Sequence, residues 1–310
     1  MSNEDGLSTG SWTVLKTLQW TADYFKRHGI SPGRPTAELL LAHALGCERI
    51  DLYLRYDQPL NADELARFKA LIMRRLEREP DAYIVGSREF WSLSFSVTPD
   101  VLIPRPETEC LVEAALRQWP PGHVINVLEL GTGSGAISVA LAHERPEWHI
   151  RATDLSARAL EIARHNADRL LRHHRIAFSK GSWFDCGGDQ RHYFDLVISN
   201  PPYIAREELE GLEPEVFRFE PTLALDGGVD GLASLKPIIE GAPGYLKPQG
   251  VLILEIGYNQ GAAVQSIGRR SGCFQAIRVE KDYSGLDRVA IFQLKKYCDS
   301  NGDLLQNPDF

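Results

Sequence analysis

The chemistry in this chain gathers at Ile198-Ser199-Asn200-Pro201-Pro202-Tyr203, which closes an apolar run beginning at Phe194. That run reads as a buried parallel strand. The two prolines stop it, because proline lacks an N–H and fixes φ. What remains is a rigid corner with the primary amide of Asn200, carbonyls without ladder partners and the ring of Tyr203. The Asn200 side-chain oxygen and the Pro201 main-chain carbonyl can both accept from an –NH2 group, which has two protons to give. Pro202 stiffens the chain, and Tyr203 supplies a flat surface for a planar amide or base. Such a corner would hold an sp2 nitrogen in one orientation and suit a reaction in which that nitrogen attacks. An ordinary Pro-Pro turn has the same four residues, so the corner alone does not decide.

The second constellation is Glu129-Leu130-Gly131-Thr132-Gly133-Ser134-Gly135, between a predicted strand and its helix. Its glycines permit close approach of a ligand to the backbone. Asp154 follows 19 residues after Gly135, at the end of the next strand, where an acid can accept both hydroxyls of a ribose. Any nucleoside cofactor would satisfy these features, and Gly131, Gly133 and Ala136 also fit the dinucleotide pattern. The two constellations together say more. They follow the first and fourth strands of an alternating series, neighbours at the switch point of a doubly wound sheet. A nucleoside would then lie beside a gripped –NH2 group, which serves a methyl donor and not a hydride carrier.

The positioning elements follow from periodicity. Strands are predicted at Val124–Leu130, His149–Thr153, Ile176–Ser179, Asp195–Ser199 and Val251–Glu255, then Gln275–Glu280 and Arg288–Lys295 as a hairpin around Ser284-Gly285. Helices fit at Ala136–His143, Ala157–Leu171, Leu232–Tyr245 and Gln260–Ser271. Alternation predicts an α/β domain with a mostly parallel sheet, and its seven strands exceed the six of the dinucleotide fold. Upstream, Pro106 suits the first turn of a helix running to about Gln118, with Glu107 and Glu109 at its positive end. The stiff Pro104-Arg105-Pro106 could equally wall a pocket. Tyr83-Ile84-Val85 and Phe90–Val97 alternate around Gly86 and predict a hairpin. Residues 11–80 predict a small helical bundle, with Gly46 as a helix stop and Asn61 as a cap paired with Glu64. The predicted organisation is a recognition bundle over 1–80, a hairpin linker over 81–103, a catalytic domain over 104–298 and a loose tail over 299–310.

The chain has 310 residues, 43% of them hydrophobic and 25% charged, as an ordinary globular protein does. The stretch from Met1 to Gly10 is polar and no long apolar run exists, which predicts neither signal peptide nor membrane span and a cytoplasmic location. Five scattered cysteines without a CxxC give no zinc site, and the adjacent His173-His174 give no metal site either. The net charge of −8 argues against direct nucleic-acid binding. Residues 11–80 run the other way, with 11 Lys and Arg against 9 Asp and Glu. Arg67, Lys69, Arg74, Arg75 and Arg78 crowd there, as a solvated helix face or as a contact for an acidic or RNA-associated partner.

With these motifs in hand, the sequence resembles the HemK-type N5-glutamine methyltransferases, and within them the release-factor (PrmC) branch. The resemblance covers roughly residues 12–296 and rests on YIVGSREFWSLSFSV, VLIPRPETE, ELGTGSG, GSWF, SNPPYI and EPTLALDGGVDGL. It implies a seven-stranded, Rossmann-like class I methyltransferase domain preceded by a helical bundle. It implies S-adenosylmethionine held by Gly131, Thr132, Gly133, Ser134 and Gly135, with Glu129 near the methionine moiety and Asp154 on the ribose. Trp183 would border the adenine or pack beneath the loop. Asn200 would touch both cofactor and substrate, while Pro201, Pro202 and Tyr203 hold the glutamine of a Gly-Gly-Gln motif in a class 1 peptide chain release factor. A ribosomal-protein glutamine methyltransferase and an amino-methyltransferase acting on a nucleic-acid base are the alternatives that the same corner would serve.

Overall fold

The computed structural model describes residues 11–185 and 191–296, and its chain divides into two units, Met1–Gly86 and Ser87–Phe310. The polar N-terminal stretch, Cys186, Cys298 and the predicted tail 299–310 lie outside the described residues.

The first unit is helical: α1 (Val14–Arg27), α2 (Gly33–Leu45), α3 (Arg49–Leu54), α4 (Ala62–Leu76) and α5 (Asp81–Val85). Its core joins Val14, Leu18 and Phe25 of α1 to Leu40 and Leu41 of α2 and to Phe68 and Ile72 of α4. Local signals end these helices as predicted. Gly46 caps α2 in the left-handed region, and Asn61 and Glu64 exchange side-chain and backbone hydrogen bonds at 2.8 and 2.9 Å at the start of α4.

One expectation needs correction here. Tyr83-Ile84-Val85 is not strand but the body of α5, which starts after Pro80 and stops at Gly86 with φ of 76°. Tyr83 and Ile84 are buried there, so tertiary packing overrides their strand preference. In the arginine cluster Arg67, Lys69 and Arg74 are exposed, as on a solvated helix face, while the arginines also bond within the unit. Arg67 donates to the Ala44 carbonyl, Arg78 to that of Gly29, and Arg74 to Ile84 and Glu79. Arg75 is buried and donates to the Glu79 carbonyl. These side chains staple one part of the unit to another.

The second unit opens with an antiparallel hairpin, β1 (Ser87–Phe90) and β2 (Leu93–Ser96). A single 3-10 turn, Pro106–Thr108, leads into α6 (Glu109–Gln118). Then come β3 (Asn126–Leu130), α7 (Ala136–Glu144), β4 (His149–Asp154), α8 (Ala157–Leu170), β5 (Ile176–Lys180) and β6 (Phe194–Ser199). After α9 (Pro214–Phe219) and α10 (Leu235–Gly241) follow β7 (Leu246–Glu255), α11 (Gly261–Arg270), β8 (Phe274–Lys281) and β9 (Asp287–Leu294). The sheet order is β5-β4-β3-β6-β7-β9-β8; the first five strands are parallel, and β9 and β8 close the edge antiparallel. This is the seven-stranded methyltransferase sheet.

Strand residues alternate between two cores. Val127, Leu196, Ile198 and Ile253 pack on the side of α6, α7 and α8. Leu128, Leu130, Val197 and Leu252 pack on the side of α10 and α11. Burial on both faces explains the unbroken apolar runs in the sequence. Three departures are local. The helix predicted over Leu232–Tyr245 is α10 followed by a 3-10 turn at Ala242–Gly244, where Pro243 lacks the donor that an α-helix needs. β7 begins five residues before Val251, pairing Leu246 with Phe194 across a register shift. The short α3 and α9 carried no long periodic stripe by which to read them. Among the described residues no helix is long and apolar enough to cross a membrane.

Candidate active site

The two constellations meet because β3 and β6 are parallel neighbours, with Leu130 opposite Ser199. The Ser199 hydroxyl donates to the Leu130 carbonyl at 2.6 Å, fastening the strand ends. From there the glycine loop and the Asn200 corner leave the same edge of the sheet. The loop is tied to β4 as well. Thr132 N–H donates to the Thr153 carbonyl at 2.9 Å, and Gly133 N–H to Asp154 Oδ2 at 2.8 Å. The other Asp154 oxygen accepts from Ser156 N–H at 2.8 Å. Gly135 caps α7 with φ of 83°, and a Cβ there would stand 3.2 Å from Cα of Ala163. Both conformation and space therefore require glycine.

Glu129, at the end of β3, is buried; its Oε2 accepts from the Thr132 and Ser138 hydroxyls. Burial pushes its carboxyl up to about 7, against the two hydroxyl bonds that favour the charged form. Burial raises Asp154 too, opposed by the backbone N–H groups that it accepts from.

A cavity of about 470 Å³ opens over these strand ends. Glu129, Gly131, Thr132, Gly133, Ser134, Asp154, Trp183, Asn200 and Pro202 all reach its wall, as do Pro104 and Arg105 of the proline-rich segment. Three expected site residues do not. Gly135 lies under the loop, Pro201 is buried, and Tyr203 packs against the α10 and α11 side of the core. The Tyr203 hydroxyl points away into the protein, donating to Glu255 Oε1 at 2.9 Å. Burial, then the neighbouring carboxylate, hold that phenol protonated well above its ordinary range. Trp183 lines the cavity and also packs against the core.

The corner is braced from behind. Gln260 Nε2 donates to the Tyr203 carbonyl at 2.9 Å, and Ile204 and Gly227 are joined backbone to backbone at 2.8 Å. A Cβ on Gly227 would fall 2.7 Å from the Tyr203 carbonyl carbon, which accounts for the glycines of Asp226-Gly227-Gly228. The proline-rich wall is held by Glu220, which accepts from Ile103 N–H at 3.1 Å and pairs with Arg105 at 2.5 Å. Asn200 Nδ2 donates to Thr108 Oγ1 at 3.1 Å, and among the described residues nothing donates to Asn200 Oδ1 or to the Pro201 carbonyl. These two acceptors stand at the strand end, Asn200 at the cavity wall and Pro201 behind it.

Thr108, Glu220 and Glu255 were not expected from the sequence. Glu255 left one trace, an acid at the end of an apolar strand; Thr108 and Glu220 lie within VLIPRPETE and EPTLALDGGVDGL, but neither motif says what their side chains hold.

Comparison with known proteins places this geometry. Residues 16–86 match the PrmC N-terminal domain and residues 108–214 the Methyltransferase small domain. The release factor glutamine methyltransferase of Geobacter sulfurreducens is 46% identical over 281 residues, 90% of this chain and 95% of that protein. The enzyme of the same name from Rhodopirellula baltica is 38% identical over 91% of this chain and 96% of its own. The hMettl16 catalytic domain, solved with the MAT2A 3'UTR hairpin 6, shares the fold with a TM-score of 0.54 at 16% identity, covering 79% of this chain and 84% of that one. The dinucleotide reading of the glycine loop therefore falls, and the chain belongs to the release factor glutamine methyltransferases, a family of methyltransferase enzymes.

Proposed function

We propose that this chain transfers a methyl group from S-adenosylmethionine to the side-chain amide nitrogen (N5) of the glutamine in the Gly-Gly-Gln motif of class 1 peptide chain release factors, releasing S-adenosylhomocysteine. The observation that carries the reading is the shared cavity into which the loop of β3 and the Asn200 corner of β6 both open. The residues fit the donor. The glycine loop offers backbone at a cavity of the size that ligands occupy, Asp154 offers acceptors for ribose hydroxyls, Trp183 a face for a base, and Glu129 an acid for an amino-acid moiety. Bound there, S-adenosylmethionine would supply an electrophilic methyl on a sulfonium.

The chain's own residues must then make an amide nucleophilic. Amide nitrogen is a poor nucleophile because its lone pair is delocalised into the carbonyl. Asn200 Oδ1 at the cavity wall, without a protein donor among the described residues, would accept one amide proton, returning density to nitrogen and fixing its direction. The Pro201 carbonyl, just behind that wall, would accept the other from a carboxamide seated deeply enough to reach it. Holding nucleophile and methyl in line is worth roughly 7–11 kcal/mol in effective molarity. Pro202 walls the cavity, while Tyr203 anchors the corner from behind through Glu255. No general base is needed before transfer, since the proton becomes acidic once nitrogen is alkylated. The helical unit serves substrate recognition, the hairpin joins it to the catalytic unit, and the reaction belongs to the cytoplasm, without direct nucleic-acid contact.

The test is incubation with labelled donor and purified release factor, followed by mass-spectrometric mapping. Label on the Gly-Gly-Gln glutamine is expected; label confined to a ribosomal protein or a nucleic-acid base would overturn the substrate assignment. Asn200→Ala should lose about 3 kcal/mol of transition-state stabilisation with donor affinity little changed, and turnover within twofold of wild type would remove Asn200 from the mechanism.

A further inference from the structure

Which atom of the Asn200 carboxamide faces the cavity decides whether the corner accepts protons or repels them. Oxygen and NH2 are nearly the same size, so shape does not choose between them. The choice is made by hydrogen bonds behind the corner. Glu255 ends β7, the strand next to β6, and is buried. Its Oε1 accepts from Tyr203 and its Oε2 from the Thr108 hydroxyl at 2.6 Å. A hydroxyl has one proton to give, and that of Thr108 goes to Glu255. Toward Asn200 the Thr108 oxygen can only accept, and it does so from Nδ2 at 3.1 Å. Asn200 Oδ1 is thereby turned outward.

We propose that Thr108, polarised by Glu255, is a positioning residue that locks the Asn200 carboxamide with its oxygen toward the substrate nitrogen. Thr108 comes from the Pro106–Thr108 turn, so that turn reaches two adjacent strand ends, that of β7 through Glu255 and that of β6 through Asn200, and sets the polarity of the second. With the lock removed, the carboxamide flips, and a flipped Asn200 sets NH2 against the substrate's own NH2. The inference rests on the reading of Asn200 as the acceptor of the substrate amide.

The experiment compares Thr108→Val, Thr108→Ser, Asn200→Ala and the double variant T108V/N200A, reading methyl transfer at saturating donor and donor affinity by calorimetry. Valine keeps the shape and loses the hydroxyl; serine does the reverse. Turnover of T108V should fall roughly ten- to a hundredfold, with donor affinity within about twofold, and T108S should recover most of it. In the N200A background T108V should add nothing, because a residue that acts through another has no separate effect. A packing role predicts the opposite order, with serine worse than valine, and that order overturns the proposal, as does a T108V loss that multiplies with that of N200A. Should T108V not fold, Thr108→Ala carries the same comparison. Failure of the underlying reading shows separately: N200A would then turn over like wild type, and the proposal falls with it.

Discussion

At the scale of single residues, two buried acids mark the site, and they differ in what surrounds them. Glu129 accepts two hydroxyl protons and faces no cation, so burial wins and its carboxyl titrates near 7. Glu255 also accepts two hydroxyl protons and has Arg288 beside it, which opposes burial, yet burial still holds its carboxyl above its ordinary range. The Glu129 shift has a thermodynamic consequence. The folded chain keeps a proton on Glu129 that the unfolded chain has already released, so the contribution is fully present below pH 4.5 and is lost as pH rises through about 7. The change is on the order of 3 kcal/mol. In Glu129→Gln the amide oxygen can still accept from Thr132 and Ser138 at the Oε2 position, and nothing titrates. The wild-type minus variant difference in unfolding free energy, measured by urea at a series of pH values, should therefore slope downward between pH 4.5 and 7. A flat difference would mean that Glu129 is charged in the folded protein. Glu129 was legible because it opens the glycine loop; Thr108 was not, because its partner Glu255 stands 147 residues away and no local pattern connects them.

Elements were legible where the signal is local and repeated. The parallel strands announced themselves as apolar runs, the capping box of α4 by two residue types at fixed spacing, and the end of α2 by a glycine. They failed where a short segment takes its conformation from what it packs against, as α5 does with Ile84 in the core of the helical unit. Charge alone likewise does not say that Arg67 and Arg75 of α4, and Arg78 just beyond it, reach backbone carbonyls. The cap offers a clean measurement. Asn61→Ala removes the acceptor for Glu64 N–H and should cost about 1 kcal/mol of helical-unit stability, read as a lowered denaturation midpoint. Donor binding belongs to the other unit and should not change. An unchanged midpoint would show that the box adds nothing to what tertiary packing already supplies.

On the scale of the whole molecule, each unit has hydrophobic cores of its own among the described residues. The core of the helical unit runs from Val14 to Ile84, and the two cores that clasp the sheet draw only on residues from Phe90 onward. Every residue lining the cavity also lies beyond Pro99 or at it. The second unit thus contains both its own cores and the whole site, and chemistry and recognition are separable in principle. Deletion of residues 1–86 should leave a folded unit that binds S-adenosylmethionine, with calorimetry giving an affinity near that of the full chain. Methylation of an intact release factor should fall roughly a hundredfold or more, the loss that goes with removing ~3 kcal/mol of docking energy. A short Gly-Gly-Gln peptide, which has nothing for the helical unit to grip, should be methylated equally and poorly by both forms. Retained activity on the intact factor would reduce the helical unit to a structural prop, whereas loss of donor binding would show that the sheet does not stand without it.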